Sequence, residues 1–319
     1  MGLTNRPFSC GTSIGDGNLI SASSNAPIAE LALTGKFTVA LAQVSPKLGL
    51  LRENLQLHLD TIRRAKSEGA DLVVFPELSL TGYILQDLVP DVAVDPLDAP
   101  SLRPLLQGCT DIACVFGFVE VSDRYNYYNA AAYVSEGRIQ YVHRKLYLPT
   151  YGMFDEMRFF ARGEKLRTVR TPFGPLGLLI CEDLWHPSTL YLHAQDGARV
   201  VVTLSSSPGR GVRTHEGFQT SQGWETLLKA LSQFYTVYNL YANRAGIEDG
   251  AYFPGGSMVV SPVGEVVARS QTSGEDLVLA ELDLEEIRRA RLFTPVLRDE
   301  RLDLTLRELT RIVRQRSQS

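Results

Sequence analysis

Apolar residues recur along the chain in short runs of strand length, separated by stretches with helical spacing. Residues 37–43 form a mainly apolar run typical of a buried strand. Residues 53–68 carry apolar positions three to four apart, which is typical of a helix. Further short apolar runs follow as far as residue 282. Because strands and helices alternate, the pattern predicts an α/β fold.

Several of the later predicted strands are joined by very short links. Pro262, Val263 and Gly264 separate two apolar runs, which predicts a hairpin and therefore a mixed sheet. Additional helices are predicted at residues 99–108, 188–197 and 223–235.

The two ends of the chain differ from its middle. Residues 1–34 are rich in Gly, Ser, Asn and Thr with little periodicity, which predicts a flexible extension. Residues 35–297 form one predicted domain, since no linker rich in Pro or Gly divides them. The spacing of apolar residues in 298–319 predicts a helical tail that packs on the central domain or on a partner subunit. Its apolar residues at helical spacing are Leu302, Leu306, Leu309 and Val313.

Composition and charge exclude several classes of protein. The 319 residues carry 36 acidic and 32 basic side chains, a formal charge of −4, so the basic excess typical of nucleic-acid binding is missing. No apolar run approaches the roughly 20 residues that span a bilayer. The N-terminus lacks the basic and apolar segments of a secretory signal. We therefore expect a cytoplasmic protein that acts on small molecules, without nucleic-acid or membrane partners.

The four cysteines lie at irregular spacing and form no CxxC pair. This spacing predicts neither a disulfide framework nor a zinc site, so no metal is expected. At least one cysteine is then available as a working thiol. None of the five histidines lies in a GxSxG context, so a Ser/His/Asp hydrolase is not predicted.

Three ionisable residues, Glu77, Lys145 and Cys181, follow directly upon apolar runs. Sites in α/β folds gather at strand ends. Taken singly, each residue has an ordinary explanation as a turn acid, a solvated lysine or a small buried hydrophobe. Together they suffice for acyl transfer, in which a thiolate attacks, a carboxylate moves the proton and a cation stabilises the oxyanion. A cation near Cys181 is expected to favour its thiolate.

The segments around these residues resemble the nitrilase superfamily of carbon-nitrogen hydrolases. They read FPELSLTGY around Glu77, YVHRKLYLPTYGMFDEMRFFARGE around Lys145 and GLLICEDLWHP around Cys181, and the resemblance covers about residues 36–297. It implies a four-layer α-β-β-α sandwich that forms a homodimer or larger homo-oligomer. It also implies a Glu-Lys-Cys triad that uses no cofactor, with Glu156 as a second glutamate that positions the lysine.

Within that superfamily, LPTYGMFDE and ICEDLW are most similar to the glutaminase domain of glutamine-dependent NAD synthetase. This resemblance implies that Tyr151, Glu182 and either Ser206 or Ser207 contact the glutamine. An acid beside the nucleophile can pair with an α-ammonium, and its backbone N–H can join an oxyanion hole. The phosphate loop of an ATP-using domain has no match in the sequence, so NAD synthesis by this chain is not expected.

These observations predict a thiol amidase that converts a small, glutamine-type amide to a carboxylate and ammonia through a thioester on Cys181. Two alternatives stay open. The first is that the substrate is a nitrile or an N-carbamoyl compound. The second is that the chain is an ammonia-supplying subunit docked on a separate synthetase. Arg210 and Arg213 are candidates for binding a substrate carboxylate, although loop arginines are more often solvated.

Overall fold

The computed structural model describes residues 35–213 and 217–317, so the extension predicted at 1–34 lies outside the described residues. The strands are β1 (Lys36–Gln43), β2 (Leu72–Val74), β3 (Ala113–Val121), β4 (Tyr127–Ser135), β5 (Arg138–Arg144), β6 (Val169–Thr171), β7 (Gly174–Ile180), β8 (Val200–Ser205), β9 (Val212–Arg213), β10 (Gly217–Phe218), β11 (Tyr238–Asn243), β12 (Ala245–Glu248), β13 (Ala251–Pro254), β14 (Met258–Val260), β15 (Val266–Arg269) and β16 (Asp276–Asp283). The helices are α1 (Leu51–Ser67), α2 (Val89–Val92), α3 (Arg103–Gly108), α4 (Glu156–Phe159), α5 (Glu182–Trp185), α6 (Pro187–Gln195), α7 (Gln219–Tyr235), α8 (Leu284–Phe293), α9 (Val296–Asp299) and α10 (Leu302–Arg316).

Two six-stranded mixed sheets organise the chain. The first has the order β16-β1-β2-β3-β4-β5, and the second has the order β15-β14-β11-β8-β7-β6. In the first sheet β1, β2 and β3 are parallel and β4 is antiparallel to both of its neighbours, so β5 runs in the direction of β2. In the second sheet β7, β8 and β11 are parallel. Each sheet therefore gathers several strand ends at one edge.

The core lies between the sheets and beneath the helices. In β1, Val39 and Leu41 belong to the core that the two sheets share, whereas Ala40 and Ala42 belong to the core beneath α1 and α3. Helices α6 and α7 contact the second sheet from its other side. This alternation of faces gives four layers, helix, sheet, sheet and helix, as the sequence predicts.

Most predicted elements are present within a few residues of their predicted bounds. The predicted hairpin joins β14 to β15, with Ser261 N donating to Glu265 O at 2.8 Å and Gly264 at a φ of 82°. Helix α8 lies outside the predictions, although Asp283 supplies its signal, because this carboxylate caps the helix by accepting a hydrogen bond from Glu285 N at 2.9 Å. The hairpin β12–β13 is likewise an addition to the predicted elements.

The predicted C-terminal tail is helical, as α10. None of its described residues is buried, and its four apolar positions, Leu302, Leu306, Leu309 and Val313, are all exposed. The apolar stripe therefore does not pack on the body of the chain. Among the described helices, none is long and apolar enough to cross a membrane.

Candidate active site

The three predicted catalytic residues lie where strands of both sheets end. Lys145 directly follows β5, Glu77 comes three residues after β2, and Cys181 directly follows β7. The β2 and β5 ends share an edge because these strands run in the same direction. The first sheet thus supplies the Glu77 carboxylate and the Lys145 ammonium, and the second sheet supplies the Cys181 thiol.

Cys181 occupies a sharp turn between β7 and α5. Its backbone has a φ of 46° and a ψ of −100°, which is unusual for a residue with a side chain. Such a conformation costs about 1–3 kcal/mol and persists only when its surroundings enforce it. Here Cys181 N donates to Leu204 O of β8 at 2.8 Å. A strand-turn-helix junction of this kind presents a nucleophile at the edge of a sheet.

Glu77 is buried and held by four hydrogen bonds. Its Oε1 accepts from Lys145 Nζ at 2.7 Å and from Asn129 Nδ2 at 2.8 Å. Its Oε2 accepts from Ser206 N at 2.8 Å, and its backbone O accepts from Ser206 Oγ at 2.9 Å. The predicted substrate residue Ser206 thus contacts Glu77, and its contact with substrate stays a prediction.

The loop that carries Glu77 crosses β3 at very short distance, and this contact also fixes the position of Glu77. A Cβ on Gly117 would lie 2.3 Å from Leu78 N and 2.7 Å from Pro76 O. Only glycine leaves room for the loop that carries Glu77 to cross β3 at this distance.

Lys145 is buried between two carboxylates. Its Nζ lies 2.7 Å from Glu77 Oε1 and 2.7 Å from Glu156 Oε1. Tyr83 donates its hydroxyl to the same Oε1 of Glu156 at 2.5 Å. Burial opposes the charge of the lysine, but the neighbouring Glu156 and Glu77 carboxylates outweigh it and raise the pKa of Lys145 well above its usual range. The ammonium therefore keeps its charge.

Glu156 is the member of this cluster whose negative charge is disfavoured by burial. Burial raises its pKa from 4.5 to about 7, and the Glu77 carboxylate acts in the same direction, while the Lys145 charge lowers it. Its Oε2 is buried without a hydrogen-bond partner among the described residues. The structure thus places Glu156 beside the lysine, where the sequence predicts it.

The nearby cation acts on Cys181 in the expected direction, because Lys145 lowers the pKa of the thiol and so favours the thiolate. Burial and the Glu77 carboxylate outweigh this effect and raise the pKa of Cys181 well above its usual range. The Lys145 charge is already shared between two carboxylates. In the resting site Cys181 is therefore a thiol.

Asp183 joins the loop of the nucleophile to the loop of the lysine. Its Oδ1 accepts from Leu146 N at 2.9 Å and Tyr147 N at 3.0 Å, and its Oδ2 accepts from Ile180 N and His143 Nε2, each at 3.0 Å. Sequence reasoning missed this role. Nothing in the sequence distinguishes Asp183 from a solvent-exposed acid, and only its fully buried position reveals these contacts.

A buried ion pair supports Tyr83. Glu248 Oε1 accepts from Tyr83 N and Ile84 N, each at 2.8 Å, and Glu248 Oε2 accepts from Arg244 Nη1 at 2.6 Å. Neither Tyr83 nor this pair is singled out by the sequence, although Arg244 lies in the YANRAG segment that carries the resemblance. The contacts fix the loop from which Tyr83 reaches Glu156.

The predicted substrate residues differ in exposure, since Tyr151 is exposed whereas Ser206 and Ser207 are buried. Tyr151 donates its hydroxyl to Glu182 Oε2 at 2.8 Å. The Arg210 guanidinium lies 5.8 Å from the centre of the Tyr151 ring and 4.9 Å from that of Phe154, and its Nε is buried with no hydrogen-bond acceptor in the described part of the chain. Ser207 Oγ accepts from Trp224 Nε1 at 2.8 Å. The side chain of Arg213 lies outside the described part of the structure.

No group of three or more metal-ligating side chains occurs among the residues that the structure describes. The site itself brings together a buried thiol, a buried carboxylate and a charged ammonium.

The model of the carbon-nitrogen hydrolase family matches residues 38–292 of the chain. The chain is 35% identical over 264 residues to the glutamine-dependent NAD(+) synthetase of Thermotoga maritima, a match covering 82% of the chain and 44% of that relative. It is 33% identical over 273 residues to an (R)-stereoselective amidase of a Pseudomonas species, covering 84% of the chain and 92% of the amidase. The chain spans about half the length of the NAD synthetases that it matches.

Among solved structures, the fold is similar to that of an amidase from Nesterenkonia sp. AN1. The TM-score is 0.71 at 25% identity, and the match covers 85% of this chain and 96% of that one. In that structure the acetamide moiety of fluoroacetamide is added covalently at the active-site cysteine.

Proposed function

The chain belongs to the carbon-nitrogen hydrolase family, and from this premise we propose that it is a thiol amidase acting through a thioester on Cys181. The observation that carries the proposal is the buried cluster of Glu77, Lys145 and Glu156 beside a thiol held at a strained strand end. The cluster combines a proton acceptor, a fixed positive charge and a nucleophile, which acyl transfer requires.

In the first half of the reaction, the sulfur of Cys181 attacks the amide carbon while Glu77 takes the thiol proton. Lys145 and the backbone N–H of Glu182 stabilise the negative charge that develops on the carbonyl oxygen. This N–H lies in the first turn of α5, where a helix provides no acceptor of its own. Glu77 then gives its proton to the amide nitrogen, the C–N bond breaks, and ammonia leaves a thioester on the enzyme.

In the second half, Glu77 accepts a proton from water as the water attacks the thioester. The C–S bond breaks, the carboxylic acid is released, and the proton returns to Cys181. Lys145 stabilises the oxyanion again, with Glu156 holding the ammonium in place. Besides these side chains and the substrate, the two halves use the backbone N–H of Glu182 and one water molecule.

We further propose that the substrate is an amino-acid amide of the glutamine type. Tyr151 contacts both Glu182 and Arg210, so it brings a carboxylate and a guanidinium to the same side of the nucleophile. These opposite charges match the α-ammonium and the α-carboxylate of an amino acid. Replacing Arg210 by Met is then expected to raise KM for glutamine while leaving KM for a simple aliphatic amide unchanged. An equal rise for both amides would contradict this assignment.

The relatives support the amide as substrate class. One is described as an (R)-stereoselective amidase, and another amidase of similar fold carries an acetamide moiety on its active-site cysteine. A second candidate function is supply of ammonia to a separate synthetase. It is favoured by the 35% identity to the glutamine-dependent NAD(+) synthetase of Thermotoga maritima. A nitrile would form a thioimidate on the cysteine, which keeps the substrate nitrogen, whereas an amide forms a thioester after ammonia has left.

The decisive experiment measures ammonia release from glutamine, aliphatic amides, a nitrile and an N-carbamoyl amino acid. Cys181→Ala is expected to abolish release, whereas Cys109→Ala is the matched control because Cys109 is fully buried in the core beneath α1 and α3. Undiminished turnover by Cys181→Ala would refute the mechanism. Mass analysis of the trapped adduct distinguishes amide from nitrile, and full activity of the purified chain would argue against an obligatory synthetase partner.

A homodimeric assembly and a cytoplasmic location belong to the same proposal. The exposed apolar stripe of α10 supports the first, since such a stripe is more stable when covered by a partner.

A further inference from the structure

Two buried hydroxyl groups that the proposed mechanism does not use lead to the sulfur of Cys181. Ser205 is the last residue of β8, and its Oγ donates to Cys181 Sγ at 3.4 Å. Tyr241 lies in β11, and its hydroxyl donates to Ser205 Oγ at 3.3 Å. Both side chains are almost completely buried.

The register of three adjacent parallel strands produces this arrangement. Ile180 of β7 pairs with Leu204 of β8, so Cys181 comes beside Ser205 where the two strands end. Ser205 in turn pairs with Asn243 of β11. Tyr241 lies two residues earlier in β11, on the same face of the sheet as Asn243, and its long side chain reaches forward to the serine.

The direction of the two hydrogen bonds is informative. Burial raises the pKa of Tyr241 well above its usual range, so its phenol keeps its proton and acts as a donor. With Tyr241 donating to its oxygen, Ser205 directs its own proton to the sulfur. A donor aimed at sulfur stabilises the thiolate more than the thiol, because hydrogen bonds to an ionised acceptor are stronger. This effect acts against the burial and the Glu77 carboxylate that disfavour the thiolate.

We propose that Ser205 is a further catalytic residue, whose hydroxyl stabilises the Cys181 thiolate as Glu77 takes the proton, and that Tyr241 is a positioning residue that orients Ser205. No bond to Ser205 or Tyr241 is made or broken, and both keep their protons. The proposal rests on the proposed function to the extent that Cys181 is the nucleophile.

Several other titratable groups influence the same sulfur and set the background of any pH profile. They are Glu77, Lys145, Glu156, Tyr83 and Tyr151. Variants at Ser205 and Tyr241 leave all of them in place, so a change in the profile reports on the two hydroxyls.

The test is the rate at which iodoacetamide alkylates Cys181 in the full chain, measured between pH 6 and pH 10 and assigned to the Cys181 peptide by mass spectrometry. Ser205→Ala is expected to shift the profile to higher pH by about one pKa unit, which slows alkylation at neutral pH about tenfold. Tyr241→Phe is expected to give a smaller shift in the same direction.

Thr203→Val is the matched control. Thr203 lies on the same face of β8 as Ser205, and its buried Oγ1 makes no hydrogen bond with any residue that the structure describes. Its profile is expected to coincide with that of the wild type. Profiles of Ser205→Ala and Tyr241→Phe that also coincide with the wild type would overturn the proposal, as would an equal shift in Thr203→Val.

Alkylation needs no substrate, so its result is separate from that of the ammonia assay. A chain without amidase activity that still shows the predicted shifts would refute the proposed function and leave the role of the hydroxyls standing. Tyr241→Phe keeps the aromatic ring and its packing, so it provides a reading even if Ser205→Ala fails to fold.

Discussion

Replacing Glu156 by Gln is expected to make the protein more stable at alkaline pH and much less active. In the folded chain burial raises the pKa of Glu156 to about 7, compared with 4.5 for an ordinary glutamate. The folded state therefore binds this proton more tightly than the unfolded state. The associated stability is fully present below pH 4.5 and is lost as the pH rises through 7.

The size of the effect follows from the two pKa values. The difference between about 7 and 4.5, at about 1.36 kcal/mol per pKa unit, corresponds to about 3 kcal/mol. Most of this stabilisation of the wild type, roughly 2 kcal/mol, is lost between pH 5 and pH 8. A glutamine side chain at this position stays neutral throughout, so the stability of Glu156→Gln relative to wild type is expected to increase by that amount over this range.

The assay is urea-induced unfolding at pH 5 and pH 8, followed by the fluorescence of the buried Trp224. Glu120→Gln is the matched control, because Glu120 is also buried but has the Arg144 guanidinium to itself. It is expected to show no comparable gain with pH. A stability difference between Glu156→Gln and wild type that is constant from pH 5 to pH 8 would refute the reasoning.

The remaining predictions concern the supports of the site and the assembly. Gly117→Ala is expected to lower kcat/KM about a hundredfold, because its Cβ would lie 2.3 Å from Leu78 N and would displace the loop that carries Glu77. Gly274→Ala is the control and is expected to leave kcat/KM unchanged, because the nearest atom to its Cβ lies at 3.6 Å. Asp183→Asn is expected to cost about 2–3 kcal/mol in urea unfolding, because an amide nitrogen would face backbone donors; an unchanged midpoint would contradict this. Removal of residues 299–319 is expected to convert a homodimer to a monomer in light scattering, and an unchanged mass would show that the tail does not hold subunits together.

The proximity of Glu77 and Lys145 could be predicted from the sequence because both follow strands, while their catalytic role with Cys181 is implied by the resemblance and stays a prediction. Strand ends are recognisable from composition, and parallel strands bring their ends to one edge. Asp183 could not be predicted in the same way. Its four donors come from β7 of one sheet and from β5 of the other sheet with the loop that follows it, and which side chain reaches them depends on how the sheets pack. No local pattern encodes that packing.

Three consecutive serines show the limit most clearly. Ser205 contacts the sulfur of Cys181, Ser206 holds Glu77, and Ser207 accepts from Trp224. The sequence singles out Ser206 and Ser207 by resemblance but gives no reason to distinguish the three hydroxyls. Their roles differ because successive side chains leave the end of a strand in different directions, so a one-residue shift changes the partner completely.

The charge balance around Lys145 decides how the nucleophile is activated. Two carboxylates share one ammonium, so the cluster holds no spare positive charge to stabilise a thiolate in the resting site. A permanent Cys-Lys ion pair is therefore disfavoured, and the raised pKa of Cys181 favours a thiol in the resting site. In the proposed mechanism, transfer of the proton to Glu77 removes one of the two negative charges beside Lys145, so the ammonium is less neutralised when the oxyanion forms. Proton transfer and oxyanion stabilisation are thus coupled through the same pair of side chains, because the step that creates negative charge on the substrate also removes negative charge from beside the cation.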